Sequence, residues 1–121
     1  MKICITTKGS QLESPIDPVF GRAQNFLFVD SETRDISCVT NVPGAHGAGV
    51  QAAQLMVENG AMVVLTGSVG PNAFQGLNAA GIEICIGAKG TAQDALAAYE
   101  AGTLQSPTGP TSQGHGGGGR R

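Results

Sequence analysis

The feature that most constrains this chain is a change of period near residue 41. From there on, a glycine-bearing turn, a helical pattern and an apolar run follow one another repeatedly. Ala48, Ala52, Leu55 and Met56 recur at helical spacing, and Asn59-Gly60 closes that helix. Residues 61–66 carry a continuous Met-Val-Val-Leu run, which predicts a strand buried on both faces. Pro71 stands where a first helical turn tolerates it, and Ala73, Phe74, Leu77 and Ala80 continue the helix to Gly81. Residues 82–86 read as another strand. Ala92, Ala95, Leu96 and Tyr99 form a last helix ending near Gly102. Strands joined through helices add to a sheet in parallel by right-handed crossovers.

The earlier residues behave differently. Residues 2–7, β-branched and apolar, predict a buried strand. Residues 8–18 carry Gly9, Ser10, Ser14, Pro15, Asp17 and Pro18, which is loop chemistry. Residues 25–30 and 35–41 read as strands joined by the polar turn Ser31-Glu32-Thr33-Arg34, an antiparallel hairpin. The order β-β-β-α-β-α-β-α predicts an α/β fold with a mixed five-stranded sheet, order 3-2-1-4-5, and helices on its faces. The first strand lies centrally, in keeping with its apolar sequence.

One domain fits in 121 residues; two with separate cores do not. The composition breaks after Leu104. Residues 105–121 contain no apolar side chain except Pro and hold six of the 19 glycines, so the domain is expected over 1–104 and a flexible tail beyond it. Five basic against nine acidic side chains leave the first 104 residues at −4, so no cationic surface suits a polyphosphate backbone. With aromatics at 4%, base stacking has little to rest on, and nucleic acid is not an expected partner. No apolar run reaches the ~18–20 residues that span a bilayer. The start Met1-Lys2-Ile3-Cys4-Ile5 lacks a secretory pattern, and no Cys-x-x-Cys occurs, so a reduced cytoplasmic chain is expected.

Chemistry is expected in three turns: Pro43-Gly44-Ala45-His46-Gly47-Ala48-Gly49, Thr66-Gly67-Ser68-Val69-Gly70-Pro71-Asn72-Ala73, and Gly87-Ala88-Lys89-Gly90-Thr91. Each follows a strand and precedes a helix. Ligands of open α/β sheets bind outside the carboxyl ends of the parallel strands. Free N–H groups at helix starts, approached closely through glycine, make an anion pocket that needs few cationic side chains. None of the three is a phosphate-binding Walker loop. His46, the sole histidine before the tail, reads as a metal or cluster ligand or as a solvated loop residue. Arg22 reads as an anion clamp or a surface salt bridge. Thr91 suits a helix N-cap, and Asn72 a cap or a ligand contact. Cys4, Cys38 and Cys85 lie in separate strands without chelate spacing and read as small core hydrophobes. No Ser/His/Asp set, G-x-S-x-G or H-E-x-x-H occurs, and the first strand has no carboxylate for a two-metal nuclease, so an enzyme is not expected.

Five motifs occur in order: Phe20-Gly21-Arg22-Ala23; His46-Gly47-Ala48-Gly49 with Gln51-Ala52-Ala53; Gly67-Ser68-Val69-Gly70-Pro71-Asn72-Ala73; Ala80-Gly81-Ile82; and Ala98-Tyr99-Glu100-Ala101-Gly102-Thr103-Leu104. Together they resemble the dinitrogenase iron–molybdenum cofactor biosynthesis family across residues 1–104. The resemblance implies a ribonuclease-H-like three-layer fold and non-enzymatic binding or carriage of iron–sulfur or molybdenum-containing clusters. It implies a ligand role for His46. From the residues' own chemistry, Arg22, Lys89 and the backbone of Gly47, Gly49, Gly67, Ser68, Gly70, Asn72, Gly90 and Thr91 are expected to cradle the cluster and balance its charge. Where the family often has His before Phe-Gly-Arg, this chain has Val19, which removes one candidate ligand. An iron–sulfur-handling ATPase or cofactor-assembly proteins are the partners the resemblance suggests. The alternative is a metal-free regulatory or scaffolding module that binds a protein or a small anion.

Overall fold

A computed structural model describes residues 1–41 and 48–107. In chain order the elements are β1 (Lys2–Thr7), a 3-10 turn (Phe20–Arg22), β2 (Asn25–Asp30), β3 (Ile36–Thr40), α1 (Ala48–Glu58), β4 (Ala61–Leu65), α2 (Pro71–Ala79), β5 (Glu83–Cys85) and α3 (Ala92–Glu100). The five strands form one sheet in the order β3-β2-β1-β4-β5. β1 pairs antiparallel with β2 and parallel with β4; β3 is antiparallel to β2, and β5 parallel to β4. The mixed sheet and its order therefore stand as the strand and helix periods predict.

The pleat splits the apolar residues between two cores. Cys4, Phe26, Phe28 and Val64 pack with Ala52, Ala53, Met56, Ala73 and Leu77, under α1 and α2. Ile3, Ile5, Leu27, Val29, Val63 and Leu65 pack with Ala92, Ala95 and Leu96, under α3. The result is three layers. Helices α1 and α2 meet closely at Gly76, where an added Cβ would lie 2.9 Å from that of Ala53. Gly60, Gly81 and Gly102 each close a helix with positive φ.

Two expectations are corrected. Met62, in the run expected to be buried on both faces, is 58% exposed. It is the residue skipped where the β1–β4 register passes from Lys2–Ala61 to Ile3–Val63, an irregularity that takes it out of the regular alternation. Cys38 is not a core residue: β3 is the edge strand, and its burial pattern is exposed at Ile36, Ser37, Cys38 and Thr40. Cys4 and Cys85 are buried as expected. Just past the expected boundary at Leu104, one residue of the following stretch is held to the domain. Ile86 and Gln105 exchange two backbone hydrogen bonds, of 2.8 and 3.3 Å, extending the ordered chain along the β5 side. The rest of the expected tail, from residue 108, lies outside the described residues.

Candidate functional site at the carboxyl rim of the sheet

The carboxyl ends of β1, β4 and β5 lie together, and the turns after β4 and β5 are stitched to each other. The Gly87 N–H donates to the Gly67 carbonyl and the Ala88 N–H to the Thr66 carbonyl, both at 3.1 Å. Beneath them the buried hydroxyls of Thr6 and Thr66 lie 2.9 Å apart, and Thr6 donates to the Asp17 carbonyl at 2.7 Å. Asp17 belongs to residues 8–19, which run across this rim as a strap. Short bridges Thr7–Ile16, Pro15–Thr91 and Val19–Ser68 fasten it there.

The strap decides which predicted donors remain open. At the start of α3 no helical amide is left over. Ala92 N–H donates to Ser14 O and Gln93 N–H to Leu12 O, both at 2.9 Å. Asp94 N–H donates to the Thr91 hydroxyl, and Thr91 N–H to the Asp94 carboxylate, a complete capping box. Gly90 has φ +81 and lies against the Asp94 side chain, while its carbonyl accepts from Ile16 N–H. The Thr91 amide is thus satisfied within the protein, and the Gly90 carbonyl is taken by the strap. The Thr91 cap itself is as predicted. Lys89 is exposed beside them.

The turn after β4 is corrected in the same way. A Cβ on Gly67 would lie 2.6 Å from the Pro18 carbonyl oxygen, so this glycine admits the strap's backbone, not a ligand's atoms. The Ser68 N–H donates to Pro18 O at 2.7 Å, and Ser68 O accepts from Phe20 N–H at 3.1 Å. Of the expected anion contacts, the Ser68 and Thr91 amides are therefore engaged by the chain itself, and Gly67 and Gly90 lie against Pro18 and the Asp94 side chain.

The start of α2 is different. Gly70, at φ −81 and ψ 174, caps it without a side chain, and Pro71 follows at the first helical position. Phe74 N–H is taken by the Gly70 carbonyl. Among the described residues the N–H groups of Asn72 and Ala73 find no partner, and the positive end of the helix dipole adds to them. The Asn72 side chain is exposed and caps nothing.

Arg22 ends the 3-10 turn, which the Phe20–Ser68 hydrogen bond holds against the turn leading to α2. Phe20 is fully buried, with its ring centroid 5.5 Å from that of Phe26. From the other side, the Asn41 amide donates to Gly21 O at 3.3 Å and Ala23 O at 2.8 Å. Arg22 is exposed, and its side chain makes no ion pair among the described residues. The salt-bridge reading of this residue has no partner. His46 and Gly47 lie outside the described residues. Gly49 lies in the first turn of α1.

A second group escaped the sequence reading. Glu83, Cys85, Tyr99, Glu100, Leu104 and Ser106 line a cavity of about 420 Å³ between β5 and the end of α3. Burial and the neighbouring Glu83 carboxylate push the Cys85 thiol to about 11. Its sequence signal was only the alternation of Glu83 and Cys85 on one strand face. Among the described residues no three of His, Cys, Asp and Glu gather as a metal site, and no helix is long and apolar enough to cross a membrane.

Fold and rim together define a small α/β protein in which, among the described residues, the start of α2 keeps bare amides and the exposed Arg22 has no ion pair. The chain belongs to the dinitrogenase iron-molybdenum cofactor family, whose profile matches residues 1–102. It is 40% identical to the orange protein from Desulfovibrio gigas, solved in its apo form; the match covers 92% of this chain and 96% of that one, with TM-score 0.87. It is 33% identical to a NifB-like protein of the DUF35 family from Thermotoga, covering 93% and 98% of the two chains, with TM-score 0.82. An uncharacterized protein of Methanocaldococcus jannaschii shares 28% identity over 89 residues, 69% of this chain and 72% of the other.

Proposed function

We propose that this protein is a non-enzymatic carrier for an anionic iron–sulfur or molybdenum-containing cluster, working in the cytoplasm during cofactor assembly. The observation that carries this reading is the pair of N–H groups of Asn72 and Ala73 at the start of α2, which have no partner among the described residues. Arg22 has no carboxylate partner among the described residues, so an anion can meet it without an ion pair having to break. Backbone amides hold an anionic cluster by charge and hydrogen bonds alone, which suits cargo that must be released. His46, in the stretch entering α1, supplies the one direct metal ligand of the reading, and exposed Lys89 adds charge. Membership of the family supports a cofactor-related role. So does the apo form of the orange protein, the empty state of a protein that takes a ligand. The strand order is, in this reading, the ribonuclease-H-like arrangement, and an iron–sulfur-handling ATPase or assembly protein is the partner that loads or unloads it.

Anaerobic reconstitution with iron, sulfide and thiomolybdate, followed by visible absorption and metal analysis, tests the reading. Wild type should colour and retain metal; His46→Ala should retain less. Gly70→Asp is the sharper variant. A cap carboxylate would accept from the Asn72 and Ala73 N–H groups and place negative charge where the cargo sits. It should keep or raise the melting temperature and lose the colour. No colour in any protein would remove the cargo, and full colour in Gly70→Asp would remove the amide site.

A further inference from the structure

The outer edge of β3 is built to pair with itself. Two ladder bonds fix which of its backbone groups face outward: Asn41 N–H donates to Gln24 O, and Asp30 N–H to Asp35 O, each at 2.9 Å. Hydrogen-bonded pairs alternate along an antiparallel ladder. With the observed register, Phe26–Val39 and Phe28–Ser37 are then the hydrogen-bonded pairs, and Asn25–Thr40, Leu27–Cys38 and Val29–Ile36 are not. The N–H and C=O groups of Ile36, Cys38 and Thr40 therefore point away from β2. Among the described residues nothing pairs with them.

The stretch Ile36-Ser37-Cys38-Val39-Thr40 is uncharged and has no Pro, Gly or Lys, the devices that keep free edges apart. Ile36 is 45% exposed. On these grounds the geometry points to a second copy of this chain as the occupant, joined to it through antiparallel β3–β3 pairing about a two-fold axis at Cys38.

Three features favour that occupant. First, the outward groups are symmetric about Cys38. Ile36 meets the copy's Thr40, Cys38 meets its own counterpart, and every outward donor and acceptor is satisfied at once. A slip by one residue would set outward groups against inward ones. Second, the charges agree. The antiparallel register places Asp35 beside the copy's Asn41, whereas a parallel one would set Asp35 against Asp35. Third, the contact is isologous and closes at two copies, giving a continuous ten-stranded sheet. One short strand a side is a small interface, so the association belongs to the weak, concentration-dependent class.

The thiols make the register readable. Cys38 is exposed while Cys4 and Cys85 are buried, so a short bis-maleimide bridges two chains only through Cys38. Sedimentation of the full chain from about 10 µM to about 1 mM spans the range in which interfaces this small dissociate. The apparent mass should rise from one chain to two, and the Cys38-to-Cys38 adduct should rise with it. Cys38→Pro removes an outward N–H without touching the β2 ladder, and should hold the mass at one chain. If Cys38→Pro does not fold, Ile36→Lys, which puts like charge at both ends of the contact, should do the same. The inference is overturned if wild type stays at one chain at about 1 mM, or if folded Cys38→Pro or Ile36→Lys still doubles.

Discussion

Replacing Gly67 by Ala tests whether the strap is what this glycine serves. The new Cβ would lie 2.6 Å from Pro18 O, 3.1 Å from its Cα and 3.3 Å from its carbonyl carbon, against 3.4 Å or more in ordinary contact. The Pro18 backbone must retreat by about 0.8 Å, the difference between 3.4 and 2.6 Å. Two hydrogen bonds cross this contact, Ser68 N–H to Pro18 O and Phe20 N–H to Ser68 O. Each is worth ~0.5–1.5 kcal/mol, and overpacking alone costs ~1–3 kcal/mol. Gly67 does not have positive φ, so Ala recovers ~0.4–1 kcal/mol from the unfolded chain. The net expectation is a loss of about 2 kcal/mol. For a domain of this size that is a fall of about 8–16 °C in melting temperature. Thermal and urea unfolding followed by far-ultraviolet circular dichroism would measure it. Gly60→Ala is the contrast: φ is +75 but no atom lies within 4 Å, so only ~1–2 kcal/mol of backbone strain applies. A Gly67→Ala protein melting within a degree or two of wild type would refute the reasoning, because the strap could then move aside at no cost.

Three further outcomes follow from the same geometry. Thr91→Ala should lower stability by about 1 kcal/mol, read as a lower urea midpoint, because it removes half of the capping box on α3. The backbone N–H groups of Thr33 and Glu32 hold the Asp30 carboxyl below the usual carboxylate range. A carboxyl lowered on folding stabilises above its unfolded value and loses that contribution as pH falls through the folded one. Asp30→Asn should therefore lower stability at neutral pH and flatten its acid limb, so that the two proteins converge as pH falls below about 4. In thiol labelling at pH 8, Cys38 should react first. Cys85 should lag by more than tenfold, since burial and Glu83 push its thiol to about 11, and Glu83→Gln should narrow the gap.

The sheet was legible because its two halves carry different periods, and because a parallel strand needs a crossover that a hairpin does not. Helix ends were legible where one residue type has one physical use, as with Gly60, Gly81, Gly102 and the Thr91 cap. The site was legible only in outline. Ser14, Pro15 and Pro18 announce a turn, but local propensity does not say which distant amide a carbonyl will meet. The Pro15–Thr91 and Val19–Ser68 bridges link residues far apart in sequence, and they close two turns that glycine content alone marks as open. Cys38 was misread because a cysteine between Ser37 and Val39 looks the same in a central strand as at an edge. What exposes it is its position on β3, outside the reach of all three helices.

The bridge between Ile86 and Gln105 has a practical meaning for anyone trimming this protein. A chain cut after Leu104 would lose both hydrogen bonds of that clasp and free the residues that follow β5. A trimming point placed beyond Gln105 keeps it intact.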